Sequence, residues 1–152
     1  MKFIGIDPGR SGAIAVIDED GGVASCSVFS EEEYKRIAFC SLPAYAMVED
    51  VHAMPKQGLS STFSFGVNKG WILGVMYAVG VKVELVSPNK WKKWFGITSD
   101  KSSSIAKAKM LFPNVSLRRT ERCTKDHDGM AEALLLAEYA RSRHNTTGIP
   151  YQ

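Results

Sequence analysis

Apolar positions along the chain fall into short runs separated by turn residues. Residues 2–7 are apolar up to Asp7-Pro8-Gly9, which reads as a buried strand ending in a turn. Residues 12–18 alternate and are rich in Ala, Val and Ile, a second strand. Asp20-Gly21-Gly22 is a hairpin turn and residues 23–29 are a third strand, so the chain opens with an antiparallel meander. Ser30 suits a helix N-cap, Glu33 completes a capping box, and the helix runs to about residue 40. Residues 45–51 form a short apolar run closing on Glu49-Asp50, a fourth strand. A helix between strands three and four implies a crossover, which makes strand four parallel to its neighbour.

Residues 59–79 predict a long helix in which Gly66, Gly70 and Gly74 recur every four residues. Each glycine costs about 1 kcal/mol against alanine in a helix interior, so the stripe calls for close approach of another element. The flanking Phe63, Val67, Trp71, Val75 and Met76 are too apolar for an exposed surface. Two explanations stand side by side: burial against the protein's own sheet, and a subunit interface. A fifth strand follows at 81–86. A short helix begins at Ser87-Pro88, with Trp91, Trp94 and Phe95 on one face and Lys90 and Lys93 on another, and stops at Gly96. A further helix spans about 99–112, a basic loop 113–125, and a last helix about 128–143 with Met130, Ala133, Leu134 and Ala137 facing the core. The expected architecture is α/β: a five-stranded mixed sheet, three strands antiparallel and two parallel, flanked by helices. At 152 residues the chain is read as one domain over 1–144 with a flexible tail at 145–152.

Charge changes the picture next. Residues 87–125 hold ten Lys and Arg against Asp100 and Glu121, a net +8 inside a chain of +3, which leaves −5 for the remainder. A basic segment beside an acidic remainder suits a polyanion partner and a separate carboxylate site, although solvated lysine faces are common. The three cysteines are scattered and odd in number, fitting neither a disulfide framework nor a metal knuckle, so a reduced, cytoplasmic setting is expected. An acid at position 7 comes too early for a secretory signal, and no apolar run is long enough to span a bilayer.

The acids then acquire meaning together. Asp7 closes the first strand and Glu49 the fourth; alone, the one is a turn residue and the other a surface acid. Asp128 and Glu132 are four apart, hence on one side of the last helix, where two acids repel each other. If strands one and four are neighbours and the last helix crosses their ends, four carboxylates share one pocket at the carboxyl edge of the sheet. Such a cluster requires a cation, and an all-oxygen set without cysteine selects Mg²⁺, with Mn²⁺ able to substitute. Two such ions about 4 Å apart activate a water and stabilise the leaving oxygen in phosphodiester cleavage.

Phe3-Ile-Gly-Ile-Asp7-Pro-Gly-Arg-Ser-Gly12 resembles the opening strand of the RuvC family of Holliday-junction resolvases, which have a ribonuclease H-like fold. Val48-Glu49-Asp50-Val51 resembles the family's second acidic strand, and Asp128-Gly-Met-Ala-Glu132 its last helix. The resemblance covers roughly 2–141. It implies a homodimeric Mg²⁺-dependent endonuclease that nicks symmetric strands of four-way junctions and related forks and flaps. Asp7, Glu49, Asp128 and Glu132 would hold the metals. Lys90, Lys92, Lys93, Lys101, Ser102, Arg118, Arg119 and His52 would contact DNA. Phe63, Gly66, Gly70, Trp71 and Gly74 would form the dimer interface, because Phe65-Gly66-Val-Asn-Lys-Gly70 resembles the start of the family's dimer helix.

Two departures from the family pattern stand out. The last two acids are four apart rather than three, as in ribonuclease H and the phage-type relatives, and Asp126 and His127 compete for the third ligand role. The place of a junction-wedging aromatic after the second acid holds His52, followed by Met54. A phage or prophage enzyme is expected. Other readings are a non-catalytic branched-DNA binder, and a ribonuclease H-like nuclease for another nucleic acid. The motif Asp7-x-Gly9-x-x-Gly12 also occurs in sugar kinases and actin-like ATPases, but those need a second lobe, so no nucleotide cofactor is expected.

Overall fold

The computed structural model describes residues 1–52 and 58–147. Five strands, β1 (Lys2–Asp7), β2 (Ala13–Asp18), β3 (Val23–Val28), β4 (Ala44–Glu49) and β5 (Lys82–Val86), form one sheet in the order β3-β2-β1-β4-β5. The first three run antiparallel in sequence, and β4 pairs parallel with both β1 and β5. The crossover through α1 (Glu31–Cys40) produces the expected parallel pair. Ser30 caps α1 by accepting from the Glu33 amide at 3.4 Å, while the Glu33 carboxylate turns to Ser27 and Arg36 instead of closing the capping box.

Alternation along the strands sorts two cores. Ile4, Ile6, Ile14, Val16, Ala46 and Val48 face α1 and α2 (Leu59–Ala78), where they meet Tyr34, Ile37, Ile72 and Met76. Phe3, Ala13, Ala15, Ile17, Tyr45 and Met47 face α5 (Asp128–Thr147), with α3 (Pro88–Phe95) and α4 (Lys101–Leu111) outside it. By the same parity Asp7 and Glu49 lie on the α5 face.

The last helix departs from expectation. It is buried on every side from Met130 to Ala137 rather than along one stripe, because the sheet and α4 enclose it. It continues four residues beyond 143, to Thr147. Gly5 makes the close packing possible: a Cβ there would stand 2.0 Å from the Ala133 carbonyl oxygen and 2.2 Å from the Ala137 amide nitrogen. α4 starts at Lys101 rather than at 99 because Asp100 caps it, accepting from the Ser102 amide at 3.1 Å.

The glycine stripe of α2 does not pack on its own sheet. Asn68, Ile72 and Met76 do, and Gly66, Gly70 and Gly74 lie two residues out of phase, on the opposite face. Among the described residues, nothing comes within 4 Å of a Cβ built at any of the three. Phe63 and Val67 are exposed beside them, whereas Trp71 and Val75 are half-buried against the protein's own core. On α3, Trp91 is fully buried, while Trp94 is more than half exposed and meets Tyr139 edge-on. No helix among the described residues is long and apolar enough to cross a membrane.

Candidate active site

The register of β1 with β4 pairs Ile6 with Val48, so Asp7 and Glu49 follow side by side at the carboxyl edge of the sheet. The first two turns of α5 cross that edge and bring Glu132 to them. Carboxylate oxygens of Asp7, Glu49 and Glu132 all lie within 4.8 Å of one another, with Glu49 and Glu132 buried and Asp7 half-buried. Asp128 lines the same groove, which measures about 400 Å³ and also contains Ser11, Phe65, Lys92, Lys101 and His127.

The site is electrostatically costly as it stands. Burial pushes the Asp7 carboxyl well above the usual carboxylate range, and Glu49, Glu132 and Asp128 push it further. Burial and Glu132 also raise Glu49, against the indole hydrogen bond of Trp91 and the charges of Lys92 and Lys69. Asp128 goes the other way: burial would raise it, but Lys101 binds it directly and brings it below its ordinary value. An all-oxygen donor set at this spacing, with two acids driven toward protonation, fits a hard divalent cation.

Several partners hold the acids. Trp91 Nε1 donates to Glu49 Oε1 at 3.0 Å. Ser104, fully buried on α4, donates to Glu132 Oε1 at 3.1 Å, and Lys92 Nζ lies 2.9 Å from the same oxygen. The sequence reading included neither Trp91 nor Ser104 in the site. A buried indole N–H requires an acceptor, and that was the available signal for Trp91. Ser104 had none, since its position opposite Glu132 depends on how α4 docks.

The two competing ligands expected from sequence are turned elsewhere. Asp126 pairs with Lys109, and His127 accepts from the Met130 amide at 3.3 Å, a capping contact at the start of α5, while its ring borders the groove. Lys92 and Lys101 reach the acids. Lys90, Lys93, Ser102, Arg118 and Arg119 are exposed, and the Ser102 hydroxyl donates to Asp100 at 2.7 Å. His52 is exposed, 3.4 Å from Asp50; Met54 lies outside the described residues.

An antiparallel meander followed by two parallel strands, with acids at the adjoining ends of β1 and β4 and a third on a helix across them, is the ribonuclease H-like arrangement. No family model and no curated protein matches the sequence. Among solved structures, the chain has the fold of RuvC. Thermus thermophilus RuvC bound to a Holliday junction substrate superposes with a TM-score of 0.69 at 16% identity, covering 97% of this chain and 96% of that one. A second Thermus thermophilus RuvC structure gives 0.62 at 19% identity, covering 94% and 97%. The yeast mitochondrial Holliday junction resolvase Ydc2 gives 0.55 at 14% identity, covering 95% and 80%.

Proposed function

We propose that residues 1–144 form a single nuclease domain that cuts branched DNA, resolving four-way junctions by symmetric nicks as a Mg²⁺-dependent homodimer. The observation that carries this reading is the gathering of Asp7, Glu49 and Glu132 within 4.8 Å, beside a surface rich in lysine and arginine. The resolvase folds named above support the choice of branched DNA as substrate.

Asp7, Glu49 and Glu132, with Asp128 completing the set, would hold two Mg²⁺ or Mn²⁺ ions. Bound there, the metal supplies a water of lowered pKa and a charge to stabilise the leaving oxygen. The chain's own groups do the rest. Trp91 and Ser104 orient Glu49 and Glu132 by single hydrogen bonds. Lys92 and Lys101 balance the acids within the groove and would draw the phosphate backbone toward them. Lys90, Lys93, Arg118 and Arg119 contribute sequence-independent attraction that weakens with salt.

The pairing of Lys92 with Glu132 and Lys101 with Asp128 also favours a second reading, a junction binder whose acids are neutralised internally. Labelled four-way junction, fork and duplex, incubated with the protein with and without Mg²⁺, separate the two. Paired nicks that require Mg²⁺ are expected. Tight junction binding with no cleavage in either Mg²⁺ or Mn²⁺ would establish the binder instead.

A further inference from the structure

One turn of α2 reaches both strand ends that carry the acids. Asn68 is buried, and its Oδ1 accepts from the Gly9 amide at 3.0 Å, two residues beyond Asp7. Gly9 has φ +126°, a conformation L side chains rarely adopt, and a Cβ built on it would sit 3.6 Å from the Phe65 ring of the same helix. The next residue, Lys69, places Nζ 2.6 Å from Asp50 Oδ1 and 3.3 Å from the Val51 carbonyl oxygen. Asp50 directly follows Glu49. Consecutive residues of one helix therefore fix the backbone just after each of two acids that belong to different strands.

Asn68 continues the stripe of Ile72 and Met76, where an apolar side chain would fill the same space. A buried amide in that stripe is accounted for by the amide it satisfies on Gly9. Lys69 likewise keeps its ammonium out of bulk solvent, its side chain only 16% exposed, to hold the Asp50–Val51 corner.

We propose that Asn68 and Lys69 are positioning residues that hold Asp7 and Glu49 at the separation a divalent cation needs. They hydrogen-bond to neither acid and act through Gly9, Asp50 and Val51, with the Lys69 charge also lowering the Glu49 pKa directly. The inference rests on reading the acidic cluster as the metal centre of a nuclease.

The test uses the full chain as Asn68→Leu, Lys69→Met and Lys69→Arg. Mn²⁺ affinity is read by calorimetry, kcat and KM on labelled four-way junction, and thermal stability in chelator. Removal of groups that orient metal ligands weakens metal binding by about 10- to 100-fold. Asn68→Leu and Lys69→Met are expected to lose Mn²⁺ affinity in that range and to lower kcat with KM for the junction unchanged. Lys69→Arg keeps a cation at the corner and should recover most of the affinity. If Asn68→Leu fails to fold, the two Lys69 variants decide the matter. Mn²⁺ affinity in Lys69→Met within about twofold of wild type, whatever its thermal stability, would overturn the proposal, being far from the loss expected for a ligand-orienting group. A wild type that binds Mn²⁺ but leaves junctions intact removes the nuclease reading alone, and the Mn²⁺ comparison still decides the positioning role. A wild type that binds no Mn²⁺ removes both.

Discussion

Trp91 and Glu49 form a buried donor–acceptor pair: the indole Nε1 lies 3.0 Å from Oε1, with the tryptophan wholly enclosed and the glutamate 5% exposed. Trp91→Phe keeps most of the ring volume and deletes the donor. A buried acceptor that loses its partner costs about 1–3 kcal/mol. The Glu49 carboxyl, already raised, moves further up because the indole was lowering it. Cleavage should fall by about 10- to 100-fold, as for other groups that orient metal ligands. Rates measured with the junction at saturation check this, and an unchanged kcat would show that Glu49 needs no such support.

On the proposed function, Asp7 should affect activity and stability with opposite signs. Its folded carboxyl sits above the ordinary value, so between the unfolded and folded values the folded chain holds a proton that the unfolded chain has released. Stability is therefore lost as pH rises through that window and stays lower above it. Asp7→Asn removes the penalty. In chelator at pH 7 the variant should melt higher than wild type, and the gap should close as pH falls below the unfolded value. A gain of 1 kcal/mol moves Tm by about 2–4 °C in a chain of this size. The same variant should bind junction DNA and not cut it, because phosphate contacts come from other residues. Retained cleavage at high Mg²⁺ would remove Asp7 from the metal set.

The three acids at the start of α5 should rank by what they face. Glu132 belongs to the close triad, Asp128 lines the groove paired with Lys101, and Asp126 is turned to Lys109. Glu132→Gln should therefore be the most damaging to cleavage, Asp128→Asn next, and Asp126→Asn nearly silent. A severe Asp126→Asn would mean that the ligand on this helix has been misassigned.

Gly5→Ala places a methyl group where the α5 backbone already is. The helix must lift from β1, and overpacking of this kind costs typically 1–3 kcal/mol. Because Glu132 rides on that helix and Asp7 on that strand, Mn²⁺ affinity should fall together with Tm. A variant that loses stability but keeps its affinity would show that the carboxylates do not depend on this contact.

Gly70→Leu tests assembly. A Cβ at Gly70 meets nothing within the described chain, so a single subunit should tolerate leucine. Replacing a helical glycine should stabilise the helix by roughly 0.5–1 kcal/mol. If the stripe is the dimer surface, the variant should instead shift sedimentation toward monomer and reduce paired nicking more than single nicking. A wild type that stays monomeric at every concentration, with junction present, would end the dimer proposal.

Much of this site was legible because strand periodicity is a local property. Phe3 and Asp7 share parity, as do Tyr45 and Glu49, and the four-residue spacing of Asp128 and Glu132 fixes one side of a helix. The crossover rule made β4 parallel to its neighbour, whereas its pairing with β1 was a condition that the sheet order meets. What stayed hidden depends on how elements dock. Ser104 and Glu132 meet only because α4 lies against α5, and Asn68 reads as an ordinary mid-helix residue until Gly9 is found beneath it. The glycine stripe illustrates another limit: its spacing showed that the three residues share a face, but not which way that face turns.

Equal parity of Asp7 and Glu49 on adjoining parallel strands has a consequence for quality control during folding. A slip of one residue between β1 and β4 would reverse the side chains of β4, carrying Glu49 to the α2 side of the sheet and leaving Val48 among the acids. A chain with that error would lose one of its four clustered acids and gain a valine in its place. If the cluster holds a divalent ion as proposed, Mn²⁺ affinity would report correct strand registry, and a refolded sample could be graded by it without any DNA substrate.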